Sequence, residues 1–160
     1  MAKRPRRLSA ILHADLAGYV RVMEVGEERT VDRLQAVRAE IWRPAIQSGG
    51  GSVVNIEGDS VLAEFASAAA AIATAIDIQE RLALFNAMLD EDERLMFRIG
   101  LHFGEVIVDE KTRSIFGDGV NIAARIQAMA EPGRIAVSRA LRDATEGGAE
   151  YSFIDGGERW

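Results

Sequence analysis

The sequence predicts an α+β domain in which strands and helices follow the order β-α-β-β-α-β, with an αβαβ extension behind it. Three observations predict it. Short runs of β-formers alternate with stretches of helical periodicity, two of those runs are joined directly by a glycine turn, and no linker or repeat divides the chain. At 160 residues, 48% hydrophobic and 28% charged, the chain carries apolar material for a single core.

Lys3, Arg4, Arg6 and Arg7 read as a solvated basic tail over residues 1–7, and the domain proper as residues 8–160. Leu8 to Leu12 is too short an apolar run for a signal peptide. Leu8 to Ala14 reads as a buried first strand, and Asp15-Leu16-Ala17-Gly18-Tyr19 turns it into a helix, with Gly18 permitting close backbone approach. From Thr30, Val31, Leu34, Val37, Ile41 and Ala45 recur at helical spacing until Ser48-Gly49-Gly50-Gly51 ends the helix. Val53, Val54 and Ile56, then Val61, Leu62 and Phe65, flank Glu57-Gly58-Asp59 as a hairpin.

Ser67 reads as the N-cap of a long helix with the face Ala68, Ala71, Ile72, Ala75, Ile76 and Leu82. Asp90 to Arg94 is a charged break. Leu95, Phe97, Ile99, Leu101 and Phe103 then alternate as a strand, and Gly104-Glu105 reads as a turn into Val106-Ile107-Val108. To this point the order is the split βαβ arrangement of ferredoxin-like domains. Beyond it, a helix over Gly119 to Met129, a strand over Arg134 to Val137, a helix over Ser138 to Thr145 and a strand start at Tyr151 to Ile154 complete the extension.

Composition narrows the chemistry. Without cysteine there are no disulfides, thiolate zinc sites or cysteine nucleophiles, which agrees with a reducing cytoplasm. A net charge of -6 argues against a general nucleic-acid surface, because phosphate backbones demand an excess of Lys and Arg. The longest apolar stretch, Ala66 to Ala83, is interrupted by Thr74, Asp77, Gln79, Glu80 and Arg81, so no bilayer span is expected.

Two aspartates stand at strand ends. Alone, Asp59 beside a turn glycine is ordinary turn chemistry, and Asp15 between a strand and a helix is an ordinary N-cap. In a split βαβ sheet, however, the first strand neighbours the hairpin, so both carboxylates fall at one edge. Two such hard-oxygen ligands suit magnesium or manganese and, through them, phosphate chemistry. The backbone amides of Leu16, Ala17, Gly18 and Tyr19 at the start of a helix suit a phosphate group. Asn121 and Arg125 lie one turn apart on a helix, where a solvated polar stripe is the plain alternative, while Ile122, Ile126 and Met129 are expected to pack that helix down. His13 and His102 read as strand residues rather than metal ligands.

AILHADLAGYV, VVNIEGDSVLAEF, FRIGLHFGEVIV, IFGDGVNIAARI and EPGRIAVS, in this order, resemble the catalytic domain of class III nucleotidyl cyclases, chiefly bacterial adenylate cyclases, from Leu8 to Asp155. The resemblance implies two divalent ions, Mg²⁺ or Mn²⁺, held by Asp15, Asp59 and the Leu16 carbonyl. It implies ATP as substrate, Asn121 and Arg125 as transition-state residues, and a homodimer whose sites are shared between chains. It places Asn55 and Ser114 at the purine, where most adenylate cyclases carry lysine and many carry aspartate. The family usually continues into a further strand bearing a triphosphate-binding lysine, whereas this chain stops at Gly156-Gly157-Glu158-Arg159-Trp160, part-way through what reads as the last hairpin. The activity implied is an adenylate cyclase; the alternative is a catalytically weak cyclase-fold dimer that binds nucleotide and regulates an attached domain.

Overall fold

The computed structural model describes residues 4–145 together with Tyr151, Phe153 and Gly156. Its strands are β1 (Arg6–Leu16), β2 (Ser52–Glu57), β3 (Ser60–Phe65), β4 (Phe97–Asp109), β5 (Ser114–Phe116) and β6 (Ile135–Val137). Its α-helices are α1 (Tyr19–Val25), α2 (Glu27–Val37), α3 (Arg43–Ser48), α4 (Ala68–Asn86), α5 (Asp118–Ala128) and α6 (Arg139–Asp143). The sheet order β2-β3-β1-β4-β5 is antiparallel at each of those steps, and β6 adds to β4 in parallel. The first four strands in that order form the expected split βαβ topology, extended by α5, β6 and α6. The strand expected over Tyr151 to Ile154 lies outside the described residues, although Tyr151 and Phe153 pack against the main core.

That core fills one face of the sheet. Ala10, Leu12, Ala14 and Leu16 of β1 alternate inward and meet Val61, Ala63 and Phe65 of β3, Leu101 and Ile99 of β4, and the apolar faces of α2, α3 and α4. Ser67 caps α4 as expected, its hydroxyl accepting from the Ala70 amide at 2.9 Å. At the other end of α4, the Asn86 side chain donates to the Leu95 carbonyl and accepts from the Leu95 amide at 2.9 and 2.8 Å, which sets the start of β4.

Four local expectations are corrected. Residues 4–7 are not a solvated tail: β1 begins at Arg6, Pro5 accepts from the Val108 amide, and Arg6 and Arg7 pair with Glu105 and Glu64. The turn expected at Gly104-Glu105 is absent, because β4 runs unbroken for 13 residues and returns only at the Glu110–Arg113 loop. Helix α2 does not run straight into α3 but passes through a π-helical turn, Arg38–Trp42. The extra residue resets the helical phase, so Trp42, Ala45 and Ile46 join Leu34 and Val37 in the core; upstream of the turn, Val31 is 38% exposed.

The fourth correction concerns α5, which covers the second face of the sheet. Its buried residues are Gly119, Ala123 and Gln127, whereas Ile122 and Ile126 are half-buried and Met129 is 37% exposed. Small residues are used because the helix lies directly on strand backbone. A Cβ added to Gly100 would come within 2.3 Å of the Gln127 amide nitrogen, and one added to Gly119 within 2.6 Å of the Glu105 carbonyl. Gly100→Ala is therefore expected to cost about 2–3 kcal/mol by forcing α5 off the sheet, a loss that equilibrium urea unfolding would read as a lower midpoint at unchanged slope.

Candidate functional site

The antiparallel pairing of β1 with β3 ends at Ala14↔Val61, so the next residues outward are Asp15 on β1 and Ser60 with Asp59 at the hairpin. Both predicted aspartates thus stand at the same end of the sheet, each half-buried. Asp59 occupies the turn between β2 and β3 beside Gly58, whose φ of 58° is the left-handed conformation that glycine adopts without strain. Asp15 is not a helix cap. It is a strand residue, and the cap position of α1 belongs to Gly18, with φ 65°.

Sequence reasoning missed the partner of Asp15. Arg98 lies directly across from it in the β1–β4 register and donates from Nε and Nη2 to the two carboxylate oxygens at 3.1 and 2.9 Å. The pair is a bidentate fork, with side chains 29% and 28% exposed. A signal existed, since Arg98 stands between Phe97 and Ile99 on the outward phase of a predicted strand, but its register could not be read from the sequence.

The amide cradle is smaller than expected. The Ala17 N–H donates to the Met96 carbonyl at 2.8 Å, joining this segment to β4. Leu16 is buried, while Gly18 and Tyr19 are exposed at the start of α1. Asn121 and Arg125 stand exposed on α5, and among the described residues neither side chain makes a hydrogen bond or ion pair.

Asn55 and Ser114 belong to strands at opposite ends of the sheet order, yet the sheet curls until β2 and β5 come within 8 Å. Val54 beside Asn55 and Ile115 beside Ser114 share the small apolar cluster of Ile11, Val106, Val108 and Ala123. Asn55 itself is exposed, next to a register shift in β2, and Ser114 is half-buried opposite Asp109.

Both histidines sit in strands with side-chain partners. His13 Nδ1 is 3.1 Å from Gln127 Oε1, and His102 Nδ1 is 2.8 Å from the Ser138 hydroxyl. Ser138 already accepts the Leu141 amide, which leaves its own proton for a neutral imidazole. Among the described residues the one three-carboxylate cluster is Asp90, Asp92 and Glu93, away from both aspartates, with Glu93 paired to Arg29 and Arg33.

The structure thus joins an α+β sheet with two carboxylates at one end, an arginine fork on one of them, and a polar stripe on a covering helix that has no side-chain partner among the described residues. This chain belongs to the family of adenylate and guanylate cyclase catalytic domains, whose description its residues 5–158 match. It is 40% identical over 152 residues to a protein of Rhizobium meliloti (strain 1021) provisionally named adenylate cyclase 3, covering 95% of this chain and 26% of that protein. To an adenylate cyclase of Streptomyces coelicolor it is 30% identical over 140 residues, covering 86% of this chain and 34% of the other. Among solved structures, an adenylate/guanylate cyclase/hydrolase from Silicibacter pomeroyi superposes with a TM-score of 0.86 at 37% identity, over 97% of this chain and 89% of that one. The guanylyl cyclase Cya2 gives 0.79 at 26%, over 89% and 80%. The chain spans about a third or less of the length of the curated relatives named here. Among the described residues no helix is long and apolar enough to cross a membrane.

Burial pushes the His102 imidazole below its ordinary value. The folded chain therefore binds fewer protons than the unfolded one once pH falls through the unfolded histidine range, and stability falls with it. Burial alone would raise the Glu64 carboxyl, but hydrogen bonds from Arg7 and Ser9 outweigh it and hold it low, so its contribution is lost only in the carboxylate range. Denaturant midpoints should drop between pH 7 and pH 5, and His102→Gln should flatten that slope.

Proposed function

We propose that this domain is an adenylate cyclase that converts ATP to 3′,5′-cyclic AMP and pyrophosphate at sites shared between two copies of the chain. The observation that carries the reading is the division of its polar groups. Asp15 and Asp59 share one end of the sheet, whereas the side chains of Asn121 and Arg125 on α5 have no partner among the described residues. A symmetric dimer that sets each stripe against the partner's acidic end completes two equivalent sites.

The donor set of Asp15, Asp59 and the Leu16 carbonyl is all oxygen, which fits two hard divalent ions, Mg²⁺ or Mn²⁺. Bound there, such ions lower the pKa of the ribose 3′-hydroxyl and screen the triphosphate. The 3′-oxygen attacks the α-phosphorus in line, its proton leaves, the bond from the α-phosphorus to the bridging oxygen breaks, and pyrophosphate departs. Asn121 orients the ribose, and Arg125 offsets charge building on the α-phosphoryl oxygens. Arg98 holds Asp15 in place before nucleotide arrives, and once displaced from the carboxylate it remains at that end of the sheet as a cation facing phosphate. A cytoplasmic site of action accords with the nucleotide and with the absence of cysteine.

Mixing Asp15→Ala with Arg125→Ala protein should restore cyclic nucleotide formation that neither variant shows alone, to about a quarter of wild type if chains exchange at random and equal amounts are mixed. In such a mixture half the dimers are mixed, and one of the two sites in each is intact in both halves. No recovery, with mixed dimers demonstrated, would refute the shared site.

The purine pair is Asn55 and Ser114. Lysine and aspartate at these places would donate to adenine N1 and accept from its amine, whereas asparagine and serine offer neutral hydrogen bonds that discriminate by about 1 kcal/mol less. ATP is still preferred over GTP on this account, with discrimination several-fold weaker than a lysine-aspartate pair would give. Asn55→Lys with Ser114→Asp should raise kcat/KM for ATP and lower it for GTP, measured with manganese. An unmoved ratio would remove both residues from base reading.

A further inference from the structure

The turn that carries Asp59 is held from outside its own hairpin. Arg38, the first residue of the π-helical turn between α2 and α3, donates from Nη2 to the Gly58 carbonyl, next to Asp59 in the chain. Gly58 is exposed and nothing lies within 4 Å of where its Cβ would be, so the side chains around it do not fix the turn by packing. Within the hairpin, the Glu57↔Ser60 pair closes the ladder and the Ser60 hydroxyl donates to the Glu57 carbonyl at 3.2 Å.

Beneath the turn lies a small cavity whose walls include Arg38, Trp42, Gly58, Asp59 and Phe97, and the space open to the centre of a water molecule there is about 10 Å³. Trp42 is completely buried, and its Nε1 is the one buried side-chain nitrogen or oxygen without a hydrogen-bond partner among the described residues. Its ring packs edge-on against Phe97 at 5.2 Å. The volume suits one water, to which the indole N–H would donate from under Asp59.

These features share one cause. An uninterrupted α-helix would carry Trp42 about 100° away from the Leu34 and Val37 stripe. The π turn brings Trp42 under the hairpin and leaves Arg38, at its first position, reaching the Gly58 carbonyl from the rim of the same cavity. π turns are uncommon and gather at functional sites, and this one touches the segment bearing Asp59.

We propose that Arg38 is the positioning residue for Asp59, fixing the hairpin turn so that its carboxylate is set for a divalent cation before the cation arrives. The inference rests on the reading of Asp59 as a metal ligand. A charge-assisted hydrogen bond restrains a turn at Gly58 and Asp59 better than solvent does, and a preformed ligand loses less freedom on binding. Arg38 touches neither nucleotide nor reacting atoms in this scheme.

The test uses Arg38→Ala, Arg38→Lys and, as a control on the metal reading, Asp59→Ala. Amide hydrogen exchange across residues 57–60, without metal, should quicken about tenfold in Arg38→Ala while exchange in β1 and β4 is unchanged. Mn²⁺ binding followed by electron paramagnetic resonance of free Mn²⁺ should weaken about tenfold in Arg38→Ala, with KM for ATP at saturating metal unmoved, and Arg38→Lys should recover most of both losses. Should Arg38→Ala fail to fold, Arg38→Gln takes its place in the same comparison. Unchanged exchange at the turn, or faster exchange with unaltered Mn²⁺ binding, overturns the proposal and leaves Arg38 a structural contact. Wild-type Mn²⁺ binding in Asp59→Ala instead overturns the metal reading, a failure recognisable because the exchange result for Arg38 does not depend on it.

Discussion

The antiparallel pairing of β1 with β4 is the constraint on which the rest of the domain depends. It runs from Arg6↔Ile107 to Leu16↔Phe97 without a slip. A shift by one residue would turn Leu12 and Leu101 out of the core and turn Asp15 into it, which burial of one face forbids. The same register sets Asp15 across from Arg98 and His13 across from Gly100. Gly100 is where α5 touches the sheet backbone, so the strand pair fixes both the acidic edge and the height at which the polar helix rides.

Asp15 at that edge is paired within its own chain. A carboxylate held only for a cation would sit unpaired in a half-buried place, a costly state if the cation is scarce. The Arg98 fork satisfies both oxygens of Asp15, so that carboxylate is paired within the chain. The Arg7, Ser9 and Glu64 network solves the same problem further along β1, where Glu64 is only 9% exposed. The two differ in depth: the Asp15 side chain stays 28% exposed, whereas Glu64 is enclosed and serves the fold.

Much of this was legible in the sequence, and the limits have physical reasons. Period-two and helical patterns located the four strands of the split βαβ core and the capped helix α4, because burial of one face leaves a regular trace. The π turn left none, since one inserted residue changes which positions are buried without changing their composition; Trp42 and Ile46 were missed for that reason. Packing of α5 was misread for a related one, as the close approach uses Gly119 and Ala123 while the larger Ile122 and Ile126 are only half covered. The end of the sheet holding Asp15 and Asp59 followed from topology alone. Arg98 did not, because a cross-strand partner is a fact of register between residues 83 apart in sequence.

The curl of the sheet explains how base recognition can vary on a fixed scaffold. Val54 and Ile115 tie β2 and β5 to one apolar cluster, so the backbone on either side of the seam is held by residues that face inward. Their neighbours Asn55, exposed, and Ser114, half-buried, are not part of that cluster. Under the proposed reading, exchanging either side chain would alter which hydrogen bonds a purine meets without disturbing that packing. Under the proposed reading, selectivity between ATP and GTP is separable from stability in this domain. A departure from the usual lysine is then tolerated by the fold whatever it does to the choice of nucleotide.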